Sequence, residues 1–215
     1  MKIVIADDHA MIIEGLQLCF GANPAYEVVG VAEDGDRLME MVERHRPDVA
    51  VLDITMPRMN GIEATREIVR RFNGETRCVI LSMHRDGQYV VEAFRAGARG
   101  YIVKSSAFRE LEFAVNSVME GKTYVSPEVS DVLVGALNEP APVGGGPSLS
   151  GLTRRERQTL QLLAEGLSVK EISYKFGVSH KTVHAYRASV LDKLQIDSLA
   201  GLTKFAIRHG ITNVG

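Results

Sequence analysis

The chain has 215 residues, 45% of them hydrophobic, and a formal net charge of −2, with a mean hydropathy of −0.01. That length allows one large domain or two small ones, each with its own core; the composition excludes a disordered or fibrous chain, and no apolar run approaches the ~20 residues that span a bilayer. Two distant cysteines, Cys19 and Cys78, exclude a disulfide framework and fit no zinc spacing with the histidines, and the strand-like opening KIVIA does not read as a secretory signal, so a reducing cytoplasm and no membrane association are expected.

Residues 1–120 alternate between two periods. Short, β-branched runs lie at 2–6 (KIVIA), 27–32 (EVVGVA), 48–53 (DVAVLD), 77–82 (RCVILS) and 100–104 (GYIVK). Between and after them, 10–20, 35–45, 61–72, 87–96 and 106–120 have helical length and spacing, as in Leu111, Val115 and Val118. Five strands alternating with five helices predict a parallel sheet with right-handed crossovers. The runs are apolar almost throughout, as strands covered on both faces should be.

The strand ends carry the chemistry. The first run ends in Asp7 and Asp8, the third in Asp53, the fourth in Ser82 and the fifth in Lys104. In an open parallel sheet, ligands bind outside the carboxyl ends of the strands. Clustered acids repel one another unless a cation sits among them, and a hard divalent ion such as Mg²⁺ suits oxygen ligands. A strand-end carboxylate beside Mg²⁺ can act as a nucleophile toward phosphorus. Taken singly, Asp7 and Asp8 could instead cap the next helix, and Asp53 could close the turn of MPRMNG.

These residues resemble the receiver domain of bacterial two-component response regulators. The resemblance implies a flavodoxin-like sheet of strand order 2-1-3-4-5. It implies Asp53 as phosphoacceptor for a sensor histidine kinase. Asp8, Asp53 and the backbone carbonyl of Thr55 would hold Mg²⁺, with Asp7 assisting. Lys104 would pair with the phosphoryl group, Ser82 would bond it on activation, and Tyr101 would swing inward behind Ser82. Thr55 and His84 stand at positions that tune dephosphorylation in receivers. Ser105 stands where many receivers have a proline preceded by a cis peptide, and the geometry there stays open. A phosphohydrolase with an Asp nucleophile is the enzymatic rival, but it needs a second acid two residues on, where Thr55 stands. A receiver serving only as an interaction module, in a regulator independent of phosphorylation, is the other.

Residues 121–148 read as a linker holding a short helix over 127–137, with Ser126 as its N-cap and Pro127 in its first turn. The stretch NEPAPVGGGPSLSG (138–151) has three prolines and three consecutive glycines. From 149 to 215 the pattern is helical only. Thr153 and Glu156 form a predicted capping box. Gly166, Gly177 and Gly210 are helix stops, and Ser168 and Ser179 are caps. Charge changes sign here: residues 1–139 carry 15 Lys+Arg against 22 Asp+Glu, and residues 140–215 carry 10 against 5. A basic second module suggests nucleic acid.

The runs LTRRERQTLQLLAEGLSVKEIS and VSHKTV resemble the LuxR-type helix-turn-helix DNA-binding domain. Joined to a receiver, they resemble the NarL/FixJ branch of response regulators: a bacterial, cytoplasmic, phosphorylation-dependent regulator that binds double-stranded promoter DNA as a homodimer. On the second helix of the pair, Lys181, Thr182, His184, Ala185, Arg187, Ala188 and Lys193 are the expected DNA-facing residues. His184 and Tyr186 replace the lysine and histidine common in relatives, and Ala185 and Ala188 sit where bases are commonly met, so the operator is expected to be unusual. A histidine in the groove predicts mild pH sensitivity. Leu199, Leu202 and Phe205 on the last helix are the expected dimer surface, reading half-sites ~10 bp apart. They could equally pack on their own domain.

Overall fold

The β-branched runs form strands and the amphipathic segments form helices, in the order expected. The computed structural model describes residues 1–138, 149–209 and 211–212, so Gly210 and most of the predicted linker lie outside the described residues. Contacts divide the chain into two units, 1–139 and 140–215.

In the first unit, strands β1 (Lys2–Ala6), β2 (Glu27–Ala32), β3 (Val49–Asp53), β4 (Arg77–Ser82) and β5 (Gly100–Val103) alternate with helices α1 (Ala10–Gly21), α2 (Gly35–His45), α3 (Gly61–Phe72), α4 (Gly87–Ala96) and α5 (Ala107–Met119). All strand pairs are parallel. Side chains alternate between two cores. Val4, Leu52, Ile80 and Tyr101 enter the core beneath α2 to α4, and Ile3, Ile5, Val51 and Leu81 enter the core with α1 and α5. That is why the runs are apolar at every position rather than at every second one.

Two features depart from expectation. The sheet has six strands, in order β2-β1-β3-β4-β5-β6, because Tyr124–Val125 adds a short β6 to the edge of β5. Two residues are too few to show a period. The helix expected within the linker is real, as α6 (Pro127–Asn138), but it belongs to the first unit. Val129 is fully buried in the core with Val90 and Tyr101, and Leu133 packs against that core. A Cβ on Gly87 would lie 2.8 Å from the Ala136 Cβ and 3.0 Å from the Val132 carbonyl, so a glycine at the start of α4 lets α6 lie close. The compact unit therefore runs to residue 139, beyond the boundary expected at 120.

The second unit holds a 3₁₀ turn (Leu149–Gly151) and helices α7 (Arg154–Ala164), α8 (Val169–Phe176), α9 (His180–Leu194) and α10 (Leu199–Arg208). The Thr153–Glu156 capping box is present, and Ser168–Glu171 forms a second one. Gly177 ends α8 at φ +64. Ile172, Val183, Val190, Leu194 and Leu202 close one core. A cation–π contact of Arg155 over the Phe176 ring, 4.5 Å from its centre, joins α7 to α8.

Candidate functional site

The apolar strand β3 delivers Asp53 to the sheet edge, and the next segment turns away sharply. A Cβ on Gly61 would fall 1.9 Å from the Asp53 carbonyl oxygen. The Gly61 N–H donates to the Ile54 carbonyl at 2.8 Å. Asn60 caps α3 by accepting from the Glu63 N–H. Only glycine permits this approach, so the short MPRMNG turn is fixed by backbone contact.

Asp53 is 4% exposed. The Lys104 ammonium sits between two carboxylates, 3.0 Å from Asp53 Oδ2 and 2.7 Å from Asp7 Oδ2. Burial pushes the Asp53 carboxyl up to about 6; Lys104 opposes the rise, while Asp7 and then Asp8 add to it. Burial lowers the Lys104 amine, but Asp53 and Asp7 outweigh this and hold it above its ordinary value. His9, not among the expected site residues, reaches both acids: its Nδ1 is 3.0 Å from Asp7 Oδ1 and 2.8 Å from Asp8 Oδ1. Its backbone N–H donates to Asp7 Oδ1 at 2.9 Å, so Asp7 does steady the start of α1 while also serving the cluster. Asp7, Asp8, His9 and Asp53 each place a ligand atom within 4.8 Å of the others. The only sequence signal for His9 was its place directly after the acid pair.

Beside the cluster, Ser82 and Tyr101 are fully buried. Ser82 Oγ accepts from the His84 N–H at 3.1 Å, and the Tyr101 hydroxyl donates to the His84 carbonyl at 2.9 Å. Tyr101 already lies inward, so the expected swing has no outward starting point here. The His84 ring stacks on Tyr89 at 4.1 Å, and its Nε2 faces Thr55 Oγ1 at 3.4 Å. Burial lowers the His84 imidazole below its ordinary value. The Lys104–Ser105 peptide is trans.

On α9, Lys181, His184, Ala185 and Ala188 are exposed, and Thr182 and Arg187 are half-buried. The Thr182 hydroxyl is held at 2.9 Å by that of the cap, Ser179. Lys193, also exposed, already has an acidic partner. Its ammonium lies 2.9 and 2.7 Å from the two carboxylate oxygens of Glu156 on α7. The dimer set divides as well: Leu202 and Phe205 are 0% and 7% exposed in the unit's own core, and only Leu199 is open, at 45%. A shallow groove beside α9 is lined by Lys170, Tyr174, His180 and Lys181 among others. Tyr174, 90% exposed, was not among the expected DNA-facing residues. Nothing in its helical spacing marks a groove that forms only when α8 and α9 pack together.

Comparison with known proteins agrees with this geometry. Residues 3–116 match the response regulator receiver domain family, and residues 150–206 match the bacterial regulatory proteins of the luxR family. The chain is 33% identical to the transcriptional regulatory protein DegU of Brevibacillus brevis, over 100% of this chain and 96% of the relative. It is 36% identical to the oxygen regulatory protein NreC of Staphylococcus carnosus, over 97% of each. Among solved structures it is similar to RcsB of Salmonella typhimurium (TM-score 0.58, 25% identity, 95% of this chain and 97% of that one). A complex of the response regulator RcsB with DNA is also similar (TM-score 0.59, 25% identity, 95% and 96%). The chain thus belongs to the NarL/FixJ-type response regulators, in which a receiver domain is joined to a LuxR-type DNA-binding domain.

Proposed function

We propose that Asp53 is the phosphoacceptor of this regulator, and that its phosphorylation by a sensor histidine kinase in the bacterial cytoplasm controls promoter binding by α9. The observation that carries this is the Lys104 ammonium, at the end of β5, held between Asp53 and Asp7 at the ends of the adjacent strands β3 and β1. A nucleophilic carboxylate needs to be ionised, rigid and reachable. Lys104 favours its ionised form, and the Gly61 contact fixes its backbone.

The donor set fits a hard divalent cation. Asp8 and Asp53, the Thr55 carbonyl and, less directly, Asp7 would hold Mg²⁺, which takes carboxylate and carbonyl oxygens. When bound it would offset negative charge on the transferring phosphoryl group. His9 touches both Asp7 and Asp8 and orients them. Lys104 would move from Asp53 to a phosphoryl oxygen, and the buried Ser82 hydroxyl would turn from the His84 N–H toward the same group.

On DNA, Lys181 and Arg187 would contact phosphates, and His184, Ala185 and Ala188 would face the bases. Thr182 would act at the N-terminus of α9, where its backbone and the helix dipole favour phosphate. A homodimer would place two such helices on half-sites related by a twofold axis, with Leu199 at the pairing surface. The test of the acceptor is Asp53→Asn. It should abolish phosphoryl incorporation from a small acyl phosphate, and normal incorporation would move the acceptor elsewhere.

A further inference from the structure

We propose that Ser126 is a positioning residue that ties the phosphorylation site to α6, so that α6 is the element through which the receiver signals. This rests on the reading of Asp53 as the acceptor.

Ser126 immediately precedes α6 and has the sequence of an N-cap. Its hydroxyl is used elsewhere. It donates to the Glu110 carboxylate of α5 and accepts the Val103 N–H at 3.1 Å. Its backbone N–H donates to the Tyr101 carbonyl at 2.9 Å. Tyr124, two residues earlier, donates its hydroxyl to the same Glu110 oxygen at 2.9 Å. Ser126 is fully buried. One residue thus binds backbone groups of Tyr101 and Val103, either side of Ile102 and directly before Lys104.

Those backbone groups belong to the switch. The Lys104 N–H donates to the Ser82 carbonyl at 2.8 Å, and the Tyr101 hydroxyl holds the His84 carbonyl. A change at Ser82, Lys104 or the 82–84 segment therefore has a hydrogen-bonded route to Ser126 through β5. From Ser126 the chain enters α6, whose Val129 is buried against the Tyr101 core and whose Ala136 lies over Gly87 of α4. A helix held at one end by β5 and along its length by α4 meets the element that follows the 82–86 segment and the strand paired with β4, which precedes it. It is also the last element before the chain leaves the first unit. A cap hydroxyl confined to its own helix would report nothing about β5; this one couples them.

The experiment is hydrogen exchange on the full chain, with and without acetyl phosphate and Mg²⁺, in wild type, Ser126→Ala and Ser126→Thr. Phosphoryl incorporation is measured in parallel. In wild type, phosphorylation should change amide protection across 127–138. Ser126→Ala should incorporate phosphate at the wild-type level but lose most of that change, and Ser126→Thr, which keeps the hydroxyl, should restore it. If the alanine variant does not fold, Glu110→Gln, which weakens the same link from α5, takes its place with the same expectation. An unchanged α6 response in the variant, or no response in phosphorylated wild type, overturns the inference. Failure of the wild type to incorporate phosphate at Asp53 overturns the acceptor assignment, and the inference with it.

Discussion

Asp53 and Glu156 are both buried carboxylates, 4% and 5% exposed, and the two units drive them in opposite directions. Asp53 is pushed up to about 6 by burial that Lys104 only partly offsets. Glu156 is drawn down to about 2: burial raises it, but Lys193, Ser189 and Thr153 together outweigh the burial. The Glu156 oxygens meet the Ser189 hydroxyl at 2.5 Å, the Thr153 N–H at 2.7 Å and the Lys193 ammonium. Asp53 shares its one lysine with Asp7. A saturated carboxylate stabilises its fold; an under-satisfied one is held ready to take a new partner.

The largest test of that contrast is Asp53→Asn. Phosphoryl incorporation should vanish while the first unit becomes more stable. Folding raises the Asp53 pKa, so its favourable contribution is fully present below the ordinary value of 3.8 and is lost as pH rises through about 6. A neutral amide at pH 7.5 removes that strain, a gain on the order of 1–2 kcal/mol in thermal or denaturant unfolding. A loss of stability would put Asp53 in the same class as Glu156.

Gly61→Ala should act next most strongly. The added Cβ meets backbone rather than a side chain that can move. Unfolding should show a loss of about 3 kcal/mol or more, and acyl-phosphate reactivity should fall with it because β3 and α3 can no longer close.

Glu156→Ala should destabilise the second unit by about 2 kcal/mol, as expected for losing charge-assisted hydrogen bonds. The pH dependence has the opposite sign to that of Asp53. Folding lowers the Glu156 pKa, so its stabilisation is complete above the ordinary value of 4.5 and is lost as pH falls toward about 2. Acid unfolding in that window should be sharper in wild type than in the variant.

The smallest effect separates two lysines of α9. Lys181→Ala should weaken DNA binding similarly across sequences and reduce the salt slope by about one. Lys193→Ala should leave the salt slope nearly unchanged and lower stability instead, since its charge already faces Glu156.

The same contrast explains what could be read from the chain. Asp7, Asp8, Asp53, Ser82 and Lys104 were legible because a parallel sheet brings strand ends to one edge, and strand ends can be found from local pattern. The Thr153–Glu156 capping box was legible because its partners lie three residues apart. Glu156 and Lys193 lie 37 residues apart, and no local pattern pairs them. Leu202 and Phe205 looked the same whether they faced a second copy or their own core, because helical spacing marks an apolar face without naming what covers it. The helix at 127–138 was visible as a helix, but its attachment to α4 depends on Gly87 and Ala136, which only tertiary structure brings together.

The most direct measurement is the affinity of the full chain for a DNA site selected from random sequence, at one stated salt concentration, before and after phosphorylation, in wild type and Asp53→Asn. Phosphorylation should tighten wild-type binding and leave the variant unchanged. Equal affinity of both wild-type forms, or a response that persists in Asp53→Asn, would contradict the account.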